Sequence, residues 1–311
     1  MPSNRNGGVD PDRASAFVIA ITPFTAEGAF DERAVRDHLR RMAAAGIGVY
    51  AGGGGSGEGY VLSEAETRRL LAISVEELKG TVPVRAMGVE PRTSDHMIEF
   101  IEMASDIGVD AVQIYSLDQG HGHRPTQDEI HRYFDDVLSA STTPVVLSTH
   151  QSVGYRVPVP MLTEFANRFD HLIGINCSHQ DLGYLTAMID ALGHRLEIHV
   201  GGPQLGLTAL SLGANGYLSS EGNLAPQLCV GVIDAYRDND ARRLADWYGK
   251  LLRLSMALYG AGGIRATKAA LGALGLPGGS PRLPQLPLDP DRIPPLLDLI
   301  EQLGIAPIEG W

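Results

Sequence analysis

The chain has 311 residues, of which 44% are hydrophobic and 20% charged, and its formal net charge is −12. That composition supplies a large core and excludes global disorder. The acidic balance, with no long basic run, argues against nucleic acid or an anionic membrane surface as a partner, and no apolar stretch reaches the roughly 18 residues of a membrane span.

The predicted elements begin after a polar stretch, Met1 to Arg13, which has no apolar signal-peptide core and reads as a flexible arm. The first strand is expected over Phe17 to Ile21 and its helix over Asp31 to Ala45, with Asp31 as N-cap and Gly46 as stop. The second strand is Ile47 to Ala51. Its helix starts at Ser63, where Ser63-Glu64-Ala65-Glu66 has the form of a capping box. Val82 to Val89 and a helix near Ser94 to Ile107 follow, then Ala111 to Tyr115 and a helix near Gln127 to Ser139. The fifth unit pairs Pro144 to Thr149 with Met161 to Phe169, and the sixth pairs Leu172 to Asn176 with Leu182 to Leu192. The seventh pairs Leu196 to Val200 with Leu205 to Leu212, and the eighth Gly216 to Ser219 with Pro226 to Tyr236. The remainder reads as helices over Ala241 to Leu258, Ile264 to Leu274 and Ile293 to Leu303, with a Pro-rich link from Pro277 to Pro290 before the last.

Apolar, β-branched strands suit burial on both faces, as in a parallel sheet. An eightfold β/α alternation points to a closed α/β barrel, the (β/α)8 or TIM barrel. A doubly wound open sheet is disfavoured because no Gly-x-Gly-x-x-Gly follows the first strand. The expected organisation is a flexible arm over 1–15, the barrel over 16–238 and a C-terminal helical extension over 239–311.

In such a barrel the site lies at the C-terminal ends of the strands. After the second strand, Gly52 to Gly59 holds six glycines in eight positions, which brings backbone N–H groups close to a carboxylate or phosphate; Ser56 adds a hydroxyl. A flexible turn does not need so many. Later strand ends carry Asp118, His121 and His123, then Ser148-Thr149-His150-Gln151, then Asn176-Cys177-Ser178-His179, then Ser219-Ser220-Glu221. A histidine there can serve as general acid/base or metal ligand, although most loop histidines are simply solvated. His150 is the best single choice, one residue beyond its strand, while the i, i+2 pair His121 and His123 is a weak metal signal. Strand alternation turns Cys177 away from the barrel axis, and His199 reads as a hydrogen-bonded core residue. Trp247 and Tyr248 read as packing or subunit contacts. Two cysteines, Cys177 and Cys229, are too few for a disulfide framework, which fits a cytoplasmic protein.

Several motifs together resemble the dihydrodipicolinate synthase and N-acetylneuraminate lyase family: Ala20-Ile21-Thr22-Pro23-Phe24 with Gly28-x-Phe30-Asp31; Gly54-Gly55-Ser56-Gly57-Glu58 with Leu62-Ser63-Glu64-Ala65-Glu66; Leu212-Gly213-Ala214-Asn215-Gly216 with Asn223; and Lys268-Ala269-Ala270-Leu271. The double-glycine loop is most similar to the sugar-acid dehydratase branch. The resemblance implies that Ser56 and the N–H groups of Gly55 and Ser56 hold the carboxylate of a 2-oxo acid. Gly54, Gly57, Thr22 and Ser219 complete the expected substrate-binding set. It also implies that the Schiff-base lysine ending strand six is Asn176 here, and that the proton-shuttling tyrosine of strand five falls at Ser148. The chain has three lysines, Lys79, Lys250 and Lys268, and none lies at a strand end. An iminium requires a primary amine, so the usual mechanism is not expected.

The leading expectation is a lyase-like enzyme acting on a 2-oxo acid or related carboxylate, by aldol-type chemistry or dehydration. Asn176 would polarise a carbonyl, with His150 and Ser148 moving the proton and no cofactor or resident metal needed. A metal-assisted variant would draw on His121, His123, His150, His179 or Glu221. The alternative from another class is a catalytically inactive small-molecule binding or partner protein. The resemblance further implies a homo-oligomer, a tetramer or dimer.

Overall fold

In the computed structural model, which describes residues 11–311, eight parallel strands close into a barrel in chain order. They are β1 (Ser15–Ile19), β2 (Gly48–Ala51), β3 (Val84–Ala86), β4 (Ala111–Ile114), β5 (Val145–Thr149), β6 (Leu172–Cys177), β7 (Glu197–Gly201) and β8 (Gly216–Ser219). One helix follows each strand: α1 (Glu32–Ala45), α2 (Glu64–Leu78), α3 (Ser94–Ile107), α4 (Gln127–Ser139), α5 (Val159–Arg168), α6 (Leu182–Leu192), α7 (Gly206–Leu212) and α8 (Pro226–Arg237). Then come α9 (Ala241–Ala261), α10 (Ile264–Ala273), α11 (Ile293–Gln302) and α12 (Ile305–Glu309). The first ten residues of the expected arm lie outside the described residues. Among the described residues, no helix is long and apolar enough to cross a membrane.

The caps follow the local sequence. Asp31 accepts from the Ala34 N–H, Gly46 ends α1 in the left-handed conformation, and Ser63 and Glu66 form a reciprocal capping box at α2. Seven of the eight strands have bounds that differ from expectation, and three of the differences have a visible cause. β1 starts two residues early, because Ser15 pairs with Gly216 across the seam that closes the barrel. β3 keeps only three residues, and Pro83 just before it has no N–H to give a ladder. β6 runs one residue past Asn176, where Cys177 pairs with Thr149 and Val200. Helix α12 was not anticipated; five residues carry too little periodicity to be read. At the seam, a Cβ on Gly216 would stand 1.9 Å from the Ser15 carbonyl oxygen, so closure requires glycine there.

The large apolar core fills the space between strands and helices. A second, small cluster lies inside the barrel: Phe17, Tyr50, Met87, Tyr115 and Leu218. Polar side chains sit above and below this plug, and they define the site.

Candidate active site

Strand ends β4, β5 and β6 bring Gln113, Tyr115, Ser148, His150 and Asn176 to one cavity of about 70 Å³, with Ile19, Met87 and Leu218 as apolar wall. That is about half the volume of an engineered cavity of ~150 Å³ that admits benzene, so it suits a ligand of few heavy atoms. The three residues expected to be catalytic therefore share one enclosure.

Asn176 is 3% exposed and sits in a network that crosses the barrel. Its Nδ2 donates to Gln113 Oε1 at 2.6 Å and to the Tyr50 hydroxyl at 3.1 Å. Arg85 Nη1 donates to the same hydroxyl at 3.2 Å, while Nη2 donates to Glu197 Oε2 at 2.8 Å. The guanidinium lies 4.4 Å over the Phe17 ring. Burial opposes the Arg85 charge, but Tyr50 and Glu197 outweigh it and raise its pKa. Asn176 Oδ1 is buried and has no partner. The orientation differs from expectation: the amide donor is already spent, and what Asn176 has left to offer is an acceptor. A buried acceptor left empty costs about 1–3 kcal/mol, which a ligand O–H or N–H relieves.

His150 follows β5. Its backbone N–H donates to Ser116 Oγ at 3.1 Å, which in turn donates to the Ser148 carbonyl at 2.8 Å. The imidazole lies edge-on to Tyr115, with centroids 5.8 Å apart. Its Nδ1 contacts Ser152 Oγ, and Glu90 Oε1 lies 3.7 Å away. Burial lowers the His150 pKa below the usual imidazole value, and Glu90 opposes that shift. Burial raises the Tyr115 pKa, so its hydroxyl keeps its proton beside Gln113 and the Gly54 backbone.

The glycine loop packs on itself as much as it opens to the cavity. A Cβ on Gly59 would meet the Gly52 carbonyl oxygen at 2.2 Å, so that glycine serves the turn itself. Gly55 faces open space, and Gly54 faces Glu90 and Val89. Of the expected substrate-binding set, Gly54, Gly55, Ser56, Gly57, Thr22 and Ser219, none lines the cavity. Ser56 Oγ donates to Ser220 Oγ at 2.9 Å, Thr22 Oγ1 to the Gly57 carbonyl at 2.7 Å, and Ser219 Oγ to Glu221 Oε2 at 2.8 Å. The loop borders the cavity through Gly53, which packs on Met87 and Ile19.

Glu58, left-handed at φ +51°, turns its carboxylate from the cavity onto Lys268 in α10. Lys268 Nζ also donates to the carbonyls of Thr22 at 2.8 Å and Ser280 at 2.9 Å. Burial lowers the Lys268 pKa, and the neighbouring Glu58 counters it. Lys250 pairs with Asp246, and Lys79 donates to the Gly108 carbonyl. None of the three lysines lines the cavity.

His121 and His123 are exposed, and His179 packs edge-on against Tyr184 with its Nε2 unpartnered. Among the described residues no group of three or more His, Cys, Asp or Glu could hold a metal ion. Cys177 is buried, its thiol against the His179 carbonyl, and burial pushes its pKa up to about 11. His199 donates or accepts at Ser15 Oγ, 2.8 Å away inside the barrel, and burial lowers its pKa to about 4. Sequence reading missed Tyr50, Arg85, Gln113, Tyr115, Glu90 and Glu197. A charged residue between Val84 and Ala86, in a strand otherwise apolar, was the one signal available.

Residues 13–303 match the family model described as the dihydrodipicolinate synthetase family. A 4-hydroxy-tetrahydrodipicolinate synthase of Methanopyrus kandleri is 28% identical over 292 residues, covering 93% of this chain and 96% of that protein. One from Hyphomonas neptunium is 30% identical over 270 residues, covering 85% and 89%. Among solved structures, a putative dihydrodipicolinate synthetase from Pseudomonas aeruginosa superposes with a TM-score of 0.86 at 25% identity, covering 93% of this chain and 99% of its own.

Proposed function

The chain belongs to the dihydrodipicolinate synthetase family, a family of barrel lyases, and on that premise we propose that it is a lyase for a small 2-oxo acid or related carboxylate that works without a Schiff-base lysine. One observation carries this reading: Asn176 stands one residue before the end of β6 with its amide donor tied to Gln113 and Tyr50 and its Oδ1 unpartnered, in the cavity that His150 shares. An amide cannot form the iminium that a primary amine forms.

The free acceptor selects for a hydroxyl on the ligand. Aldol cleavage and dehydration both act on a hydroxylated carbon chain: the first removes the hydroxyl proton as the adjacent C–C bond breaks, the second expels the hydroxyl after loss of a neighbouring C–H proton. In either case Asn176 Oδ1 holds an O–H and His150 takes a proton. The electron pair passes to the 2-oxo oxygen, and the protonated Tyr115 hydroxyl is the donor in the cavity that can meet it. The glycine loop borders the cavity only through Gly53, and Ser148 completes the polar wall at β5.

Proton NMR of pyruvate in D2O tests the reading. Loss of the methyl signal above an enzyme-free control, reduced at least about tenfold in His150→Ala, is the expected result, and Asn176→Ala is expected to lose thermal stabilisation by hydroxy acids, since pyruvate has no hydroxyl. Exchange that survives His150→Ala, or hydroxy-acid stabilisation that survives Asn176→Ala, overturns the residue assignment. Thermal stabilisation by 2-oxo acids and hydroxy acids with no exchange and no turnover supports instead a binding protein.

A further inference from the structure

Glu90 enters the site from the β3–α3 connection and has no part in the chemistry above, yet it faces His150 directly. Three atoms form a compact triangle: His150 Nδ1 contacts Ser152 Oγ, and Ser152 Oγ donates to Glu90 Oε1 at 3.4 Å. Glu90 Oε1 is also 3.7 Å from Nδ1, with both side chains about two-thirds or more covered.

The direction of the relay follows from proton counting. An ionised carboxylate only accepts, so the Ser152 O–H points to Glu90. The Ser152 oxygen then accepts, and the proton between it and the imidazole belongs to Nδ1. A neutral imidazole protonated on Nδ1 carries its lone pair on Nε2.

We propose that Glu90, acting through the Ser152 hydroxyl, is the positioning residue that holds His150 in the Nδ1–H form, so that Nε2 is the atom that takes the ligand's proton and Glu90 balances the imidazolium that results. In the step itself the ligand's O–H or C–H bond breaks, the N–H bond forms at Nε2, and the electron pair stays on the ligand. The Nδ1 proton remains on the imidazole throughout. This rests on the reading of His150 as the proton carrier.

The groups facing His150 come from four elements. Glu90 supplies the negative charge, Tyr115 at the end of β4 is neutral, and Ser152 lies in its own segment. His179, after β6, is a second imidazole whose charge and that of His150 disfavour each other. Only Glu90 among these stabilises a protonated His150.

Nitrogen-15 NMR of histidine-labelled protein, with His150 assigned by its absence in His150→Gln, tests the proposal without reference to turnover. The wild type is expected to show the proton on Nδ1 at alkaline pH. In Glu90→Gln the pKa of His150 is expected to fall by about one unit, and Ser152→Ala to mix the two tautomers. If exchange activity is present, kcat for Glu90→Gln drops about tenfold with KM little changed, and the acidic limb of its pH profile moves with the NMR titration. A proton on Nε2 in the wild type, or an unchanged tautomer and pKa in Glu90→Gln, overturns the relay. Should Glu90→Gln fail to fold by circular dichroism, Ser152→Ala carries the same tautomer measurement. A correct tautomer in a protein that exchanges no proton sinks the proposed function and leaves the relay standing.

Discussion

Lys268 and Glu58 show how a single pair of residues can look functional and serve structure. Glu58 lies in the glycine loop and Lys268 is the most buried of the three lysines, at 1% exposure, so either could be taken for site chemistry. Their contacts assign them elsewhere: the ammonium ties the loop, the Thr22 carbonyl and the Ser280 carbonyl together, and the Arg282 N–H adds a bond of 3.2 Å to Glu58. Removing one partner strands a buried charge, so Lys268→Met is expected to cost about 3–5 kcal/mol. Glu58→Gln combined with Lys268→Met should recover part of that loss, because no bare charge remains. Urea denaturation of the three variants measures both; equal destabilisation of the single and double variants would remove the argument. Asn176 is the converse case. Its neighbour in sequence, Cys177, is inert by burial, whereas Asn176 keeps one unpaired atom in the cavity.

At the scale of elements, the short helix α12 acts on α8 through Glu309. The Glu309 carboxylate accepts from the Gln227 N–H at 3.2 Å and the Leu228 N–H at 2.8 Å, capping the N-terminal turn of α8 from a distant part of the chain. Burial raises its pKa to about 7, although those two N–H groups and Arg41 pull the other way. The folded protein therefore holds this proton more tightly than the unfolded chain does, and stability falls as pH rises from the ordinary carboxylate range to about 7. Glu309→Gln abolishes that slope. Its melting temperature should vary less between pH 5 and pH 8 than the wild type's, a difference on the order of 2 kcal/mol; parallel pH curves would show that Glu309 does not titrate in this window. The element boundaries that escaped sequence reading were of the same kind. β1 begins at Ser15 because β8 is there to pair with it, which no local pattern can report.

For the whole molecule, closure of the barrel is what makes a site out of residues far apart in sequence. Tyr50 and Asn176 are 126 positions apart and Arg85 and Glu197 are 112 apart, yet each pair shares a hydrogen bond inside the barrel. The surface outside it leaves large apolar side chains open, among them Met256 at 67% and Tyr259 at 57% on α9. We expect a homo-oligomer, a tetramer or dimer, that covers such positions. Light scattering of Met256→Glu should then give a smaller species than the wild type, and a wild type that is already monomeric would end that expectation.

The sequence by itself determined the order and type of the elements, since hydrophobic period, caps and strand-end polarity are local properties written within a dozen residues. It therefore placed Asn176, His150 and Ser148 at neighbouring strand ends, and those three do share one cavity. Tertiary structure alone decided which atom each of them offers. The Gln113 and Tyr50 side chains take the Asn176 donor, and Glu90 with Ser152 claims His150 Nδ1. Hydrogen bonds saturate one partner at a time, so what a side chain has left for a ligand depends on neighbours that only a closed barrel brings within reach.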